Sequence, residues 1–185
     1  MTTHVETRQA VHPDHAKGMD TDSLRRHFLA EGLFARAEIR LVYTHYDRFV
    51  VGGAVPDSAD ITLDQIAETK TATFLERREM GIVNIGEAGS VTAAGQTWDM
   101  KNGDVLYLGM GSGAVTFSGK GRFYITSCPA HRELPCRLIT VDEAKEMKTG
   151  AVETSNKRTI RQFIHPLVME SCQLVLGYTT LEDGS

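Results

Sequence analysis

The sequence predicts a mainly β fold with short peripheral helices. Residues 72–118 hold short runs of β-branched and aromatic residues, Gly81–Ile85, Ser90–Ala93, Gln96–Met100 and Val105–Leu108, with apolar and polar positions alternating. Glycine turns separate these runs at Gly95, Gly103 and Gly109–Gly111. Few segments carry a helical period, so a β-meander is the organising unit.

The order of parts is more specific: strand, Gly turn, strand, a Gly103-Asp104 turn, an apolar strand, then Gly109-x-Gly111. It resembles a cupin (RmlC-like) jelly-roll barrel. A metal-binding cupin places His-x-His, Glu and a later His at inward positions. In the best register those positions hold Thr73, Leu75, Met80 and Ala114, and no histidine occurs between His45 and His131. The barrel is therefore expected to hold no metal.

Composition narrows the function classes. With 185 residues, 41% hydrophobic, 24% charged and a net charge of −4, the chain fits one soluble domain with extensions and not a basic nucleic-acid binder. The longest near-apolar run, Phe49 to Val55, is far shorter than the roughly 20 residues that cross a bilayer, and the N-terminus lacks the apolar core of a signal peptide. Three cysteines do not make a disulfide framework. A cytoplasmic protein with no nucleic-acid or membrane partner is the expectation.

Two domain segments are expected: residues 1–35 as an arm with a short helix, and 36–185 as the cupin domain. His4, His12 and His15 lie in a polar stretch whose Pro13 favours an exposed arm without regular structure over a metal site. Thr21 caps a helix with Leu24, Phe28 and Leu29 on the face that packs across the sheet. Glu38–Tyr43 and Arg48–Val51 read as strands joined by a polar turn, in which His45 and Asp47 form an acid–base pair only if the turn brings them together.

Glu76-Arg77-Arg78-Glu79 reads as a cross-strand charge network within a strand, and one of its arginines suits an anionic sugar acid. Gly109-Met-Gly-Ser-Gly113 is followed by a strand pattern and not a helix, which rules out a phosphate loop. Cys128, His131 and Cys136 lack a nearby fourth ligand and read as a loop with buried thiols. Thr140-Val-Asp-Glu143 is a capping box that opens a helix through Met147. Arg158–Ile164 and Cys172–Thr180 read as two further strands.

Motifs along nearly the whole chain carry a second resemblance. They are His12-Pro-Asp-His-Ala-Lys17, Asp20-Thr21 with Leu24-Arg25 and Phe28-Leu29, Tyr43-Thr-His-Tyr-Asp-Arg48 with Gly52-Gly53, and Phe74-Leu-Glu-Arg-Arg-Glu79 with Asn84-Ile-Gly86. Gly103-Asp-Val-Leu-Tyr107, Pro129-Ala-His131, Thr154-Ser-Asn156 with Arg158-Thr-Ile160, and Ser171-Cys-Gln-Leu174 continue the order. Together they resemble the 5-keto-4-deoxyuronate isomerases.

The resemblance implies a bicupin, hexameric enzyme of pectin and polyuronate breakdown. It would interconvert 4-deoxy-L-threo-5-hexosulose uronate and 3-deoxy-D-glycero-2,5-hexodiulosonate through an enediolate, with zinc stabilising the intermediate. That family is longer than this chain, and its zinc ligands lie in a C-terminal cupin, beyond Ser185. No position here matches them, so no catalytic or metal residue carries over. The chain then reads as the metal-free N-terminal cupin, inactive alone, with the start of a connection to the second cupin. Whether His45, Arg48 or Arg77 reaches the active site is left open. The alternative is a stand-alone, non-catalytic cupin acting as a structural or sugar-binding module.

Overall fold

The computed structural model describes residues 2–184. Its strands are β1 (Thr2–Arg8), β2 (Glu38–Thr44), β3 (Val50–Val55), β4 (Ile61–Leu63), β5 (Arg78–Asn84), β6 (Gly89–Ala93) and β7 (Gln96–Met100). The chain continues through β8 (Val105–Leu108), β9 (Val115–Gly119), β10 (Phe123–Pro129), β11 (Arg137–Ile139), β12 (Lys145–Thr149), β13 (Arg158–Ile164) and β14 (Leu176–Leu181). Two short helices, α1 (Pro13–Ala16) and α2 (Thr21–Phe28), lie between β1 and β2.

The strands form a seven-stranded sheet in the order β1-β2-β3-β10-β5-β8-β11, a four-stranded sheet β4-β9-β6-β7, and a three-stranded sheet β12-β13-β14. This is the expected mainly β, cupin-like arrangement, with the two larger sheets kept as separate layers. Side chains that alternate inward from both sheets fill the space between them, among them Leu41, Leu63, Met80, Ile82, Leu106, Phe117 and Phe123, and Phe74 joins them from the loop before β5. Each fully buried side chain of this size stabilises the fold by about 1.5–3 kcal/mol.

A second apolar layer covers the other face of the large sheet. Val83, Val105, Tyr107 and Cys128 meet Ile139, Phe163, Ile164, Met169, Leu174 and Leu176 there. Because β5 lies between both layers, all seven of its residues are buried. Gly81 is the point of closest approach: a Cβ there would stand 2.8 Å from Leu176 Cδ1 and 3.0 Å from Ile164 Cδ1, so only glycine lets this layer seat.

Side chains of the motif residues Asn84 and Asp104 fasten turns. Asn84 donates to the carbonyls of Glu87 and Met100 and accepts from the amides of Gly86 and Arg122. Asp104 accepts from the amides of Lys101 and Val141.

Several expectations are corrected. The arm is not irregular, since β1 pairs in parallel with β2 from Thr2↔Glu38 to Arg8↔Thr44, and Pro13 opens α1. Parallel pairing needs a long crossover, which α1 and α2 supply, and the sequence gives no local sign of it. Asp20, not Thr21, caps α2, its carboxylate accepting from the Ser23 amide at 2.8 Å. Leu24, Phe28 and Leu29 stay exposed, because the outer face of the large sheet is already covered at its centre.

The Thr140–Glu143 box is present but caps only a 3-10 turn, Val141–Glu143. Residues after it form β12, because antiparallel pairing with β13, from Lys145↔Gln162 to Thr149↔Arg158, outweighs the helical signal of the cap. The last strand begins at Leu176, leaving residues 171–174 as a loop.

Candidate functional site

Four segments meet at one end of the sandwich: the β2–β3 turn, the loop of residues 64–77, the start of β5 and the end of β10. The β2–β3 turn places Asp47 at φ 51° and Arg48 at φ 54°, with the Phe49 amide donating to the Tyr46 carbonyl at 3.0 Å. That is a type I′ turn, which favours Asn-Gly. An arginine in the left-handed region is strained by roughly 1–2 kcal/mol. Strain in the turn moves the strand start from Arg48 to Val50.

Phe74 and Leu75 pin the 64–77 loop by inserting into the core, both fully buried. Its upper part is held by Thr71, whose hydroxyl donates to the Thr73 carbonyl at 2.8 Å and lies 2.9 Å from the Thr69 hydroxyl. Glu76 closes the loop by accepting from the Ala72 amide at 2.8 Å. Glu76 and Arg77 therefore precede the strand.

Arg78 opens β5 and points toward the Phe74 side of the sheet, its guanidinium 5.5 Å from the Phe74 ring centre. Nε donates to Ser127 Oγ at 3.1 Å, and Nη2 donates to the carbonyls of Arg48 at 2.7 Å and Ser127 at 2.9 Å. The strained turn is thus held by a buried cation. Burial lowers the Arg78 pKa to about 10, helped by the like charge of Arg48 and opposed by Tyr43 and Cys128.

Glu79, next in the chain, points to the opposite face. Its carboxylate accepts from the Tyr107 hydroxyl at 2.6 Å, from the amides of Cys172, Gln173 and Leu174 at 2.8, 2.7 and 2.7 Å, and from the Cys128 thiol at 3.4 Å. Burial pushes its pKa up, but these donors outweigh it and hold the carboxyl below the usual value. Burial and the Glu79 charge push the Cys128 thiol up to about 12. The four-residue cluster is therefore no cross-strand charge network: its buried charges face opposite sides and take backbone and hydroxyl partners.

Between these segments lies a hollow of about 160 Å³ lined by Tyr43, Arg48, Glu68, Thr69, Thr71, Arg77, Arg78 and Pro129. It gathers Arg48 and Arg77, two of the sequence candidates, with Arg78. A larger hollow of about 720 Å³ is lined by Asp99, Asp104 and Asp142 with Lys101 as its cation. An anion suits the first and not the second.

The remaining candidates stay apart. His45 is exposed and makes no ion pair with Asp47 among the described residues; its ring packs edge-on to Tyr43, 5.5 Å between centres. Cys128 lies in β10 against the outer layer, whereas Cys136 packs toward the inner core and touches Ser112 Oγ at 3.2 Å, and His131 is exposed. His12 accepts from the Asp14 amide at the start of α1.

Leu75 and Met80 are fully buried among apolar side chains, Thr73 is half-buried, and Ala114 is exposed just before β9. This donor set does not fit zinc. No group of three or more His, Cys, Asp or Glu side chains suited to a metal occurs among the described residues. Glu68, Thr69 and Thr71 were not legible as site residues, since they belong to no motif, and Tyr43 stood in a family motif without a chemical role.

The model of the KduI/IolB family matches residues 28–185. The chain is 71% identical over 181 residues to the 4-deoxy-L-threo-5-hexosulose-uronate ketol-isomerase of Agrobacterium fabrum, covering 98% of this chain and 66% of that protein. Proteins of the same name from Cereibacter sphaeroides (strain ATCC 17025) and Rhizobium meliloti are 60% and 44% identical, with 67% and 68% of their lengths covered. The chain thus spans about two thirds of the curated relatives it matches. An IolB-like protein from Salmonella typhimurium superposes with a TM-score of 0.51 at 19% identity, over 66% of this chain and 46% of that one, which speaks to fold alone.

Proposed function

Because this chain belongs to the KduI/IolB family, we propose that it is the amino-terminal part of an enzyme interconverting an aldose and a ketose form of a deoxyhexosulose uronate. The observation that carries this is 71% identity to a named ketol-isomerase along 98% of the chain. Relatives that share the whole chain extend beyond it, which disfavours a stand-alone binding module.

An aldose–ketose shift moves a proton between adjacent carbons, and bound zinc would supply charge stabilisation for the enediolate. Since the residues here do not fit zinc, its ligands are assigned to the third of the protein outside this chain. What these residues supply is a rigid apolar sandwich and a cationic pocket at its rim. We assign the complete protein to the cytoplasm as a homo-oligomer, a hexamer by resemblance, acting in pectin or polyuronate breakdown.

The test follows conversion of the 5-keto-4-deoxyuronate by this chain, by the chain with zinc, and by a protein completed with the remaining third of the Agrobacterium relative. Turnover is expected from the completed protein alone. Metal-independent turnover by the chain would place proton transfer on its own residues and overturn the assignment.

A further inference from the structure

Arg78 is a buried cation without an anion. Only 4% of its surface is exposed, and no carboxylate lies within ion-pair distance of it among the described residues. Nε and Nη2 are engaged by Ser127 and the Arg48 carbonyl, whereas Nη1, with two N–H donors, has no hydrogen-bond partner among the described residues. The guanidinium is largely buried, but Nη1 keeps access to the hollow, so a counter-ion can reach the charge there.

The walls of the hollow that Arg78 lines add to the imbalance. Arg48 and Arg77 bring two further positive charges, and Arg77 has only its neighbour Glu76 at 3.5 Å. Glu68 is the one acidic residue lining the hollow. Its Oε1 accepts from the Thr7 hydroxyl at 3.4 Å, but Oε2 is buried without a partner. No arginine reaches Glu68 within ion-pair distance among the described residues, so the unpaired donors and the unpaired acceptor do not satisfy each other.

The missing ligand must therefore carry both a negative charge and a hydrogen-bond donor. A plain carboxylate would answer the arginines but leave Glu68 facing a like charge, and hydrogenphosphate holds its P–OH donor on the same compact group as its charge, whereas Glu68 lies beyond ion-pair distance of the arginines. A hydroxy acid answers both. The volume of about 160 Å³, below the roughly 300–1,000 Å³ of drug-sized sites, suits a small acid or the acid end of a sugar.

We propose that this rim pocket binds a small hydroxy-carboxylate, with the carboxylate on Arg78 Nη1, Arg48 and Arg77 and a hydroxyl donating to Glu68 Oε2. The site belongs to this chain alone; it rests on the isomerase reading only in taking a uronate as the preferred acid. Planar guanidinium groups suit the two carboxylate oxygens, and the hydroxyls of Thr69 and Thr71 line the same wall.

Titration calorimetry on this chain tests the proposal with sodium D-galacturonate, D-galactose, sodium propionate and inorganic phosphate. Galacturonate should bind with one site per chain, galactose should not, and propionate and phosphate should bind more weakly. Arg77→Ala and Arg48→Gly should each weaken galacturonate by about tenfold, the loss of one charged hydrogen bond. Glu68→Gln should narrow the gap between galacturonate and phosphate.

Thermal unfolding of each variant shows that it is folded, and Arg78 itself is left intact because it holds the turn. The proposal fails if galacturonate and galactose behave alike, if an Arg48→Gly, Arg77→Ala double variant binds as well as the parent, or if phosphate binds best regardless of Glu68. Failure here with turnover by the completed protein would leave the isomerase reading standing. Uronate binding without that turnover would do the reverse.

Discussion

Tyr107 donates a 2.6 Å hydrogen bond to Glu79, and both side chains are fully buried. The tyrosine comes from β8 and the glutamate from β5, neighbours in the large sheet, and the carboxylate also collects three consecutive amides from residues 172–174. One buried charge therefore fastens the outer layer to the sheet. Desolvation and the Glu79 charge push the tyrosine pKa well up, so the hydroxyl stays a donor at all ordinary pH.

Tyr107→Phe removes one donor from a buried carboxylate while keeping the ring. A hydrogen bond to a charged group is worth about 1.5–3 kcal/mol, and urea unfolding should show a loss of that order. Glu79→Leu should cost more, because it leaves the amides of Cys172, Gln173 and Leu174 without their acceptor.

Acid should weaken the same lock. The folded pKa of Glu79 is depressed, so the carboxylate contributes stability above its unfolded value, about 4.3, and loses it as pH falls through the lower folded value. Unfolding free energy measured between pH 7 and pH 3 should therefore decline below about 4.3. The decline should be shallower in Glu79→Gln; equal slopes in the two proteins would show that the acid sensitivity comes from elsewhere.

The turn strain at Arg48 is testable by itself. At φ 54° a β-branched residue is worse than arginine and glycine is better. Arg48→Val should lower stability by about 1–2 kcal/mol, whereas Arg48→Gly should hold or raise it, since the carbonyl that accepts from Arg78 remains.

Elemental analysis after dialysis should find far less than one zinc or iron per chain, because Thr73, Leu75, Met80 and Ala114 offer no suitable donors. Stoichiometric zinc would point instead to the separated Cys128, His131 and Cys136 coming together.

The three-stranded sheet exposes apolar side chains: Met147 and Leu181 within its strands, and Leu167 and Val175 beside it, the last two 68% and 66% exposed. A surface of this kind is normally covered. Light scattering should show this chain self-associating as concentration rises, and Leu181→Lys with Met147→Lys should reduce it.

Local pattern was enough for the central strands. Alternation and glycine turns place β6, β7 and β8 nearly to the residue: β6 and β7 form a hairpin closed at Ala94-Gly95, and β8, which pairs with β5 and β11, is bounded by Gly103 and Gly109. The apolar character of Leu75 and Met80 was likewise legible, since a side chain's chemistry is written in the sequence.

Tertiary structure decided what depends on distant partners. β1 exists because β2 offers an edge, and β12 is a strand because β13 pairs with it, although the capping box before it favours a helix. Strand alternation by itself sends the adjacent charges Arg78 and Glu79 to opposite faces, but their partners are not the cross-strand charges expected. Glu79 then meets amides more than ninety residues away, and Arg78 meets a hollow whose Glu68, Thr69 and Thr71 come from a loop without a motif. Residue identity fixes which groups are charged; only the packing of two layers on one sheet fixes which of those charges lacks a partner.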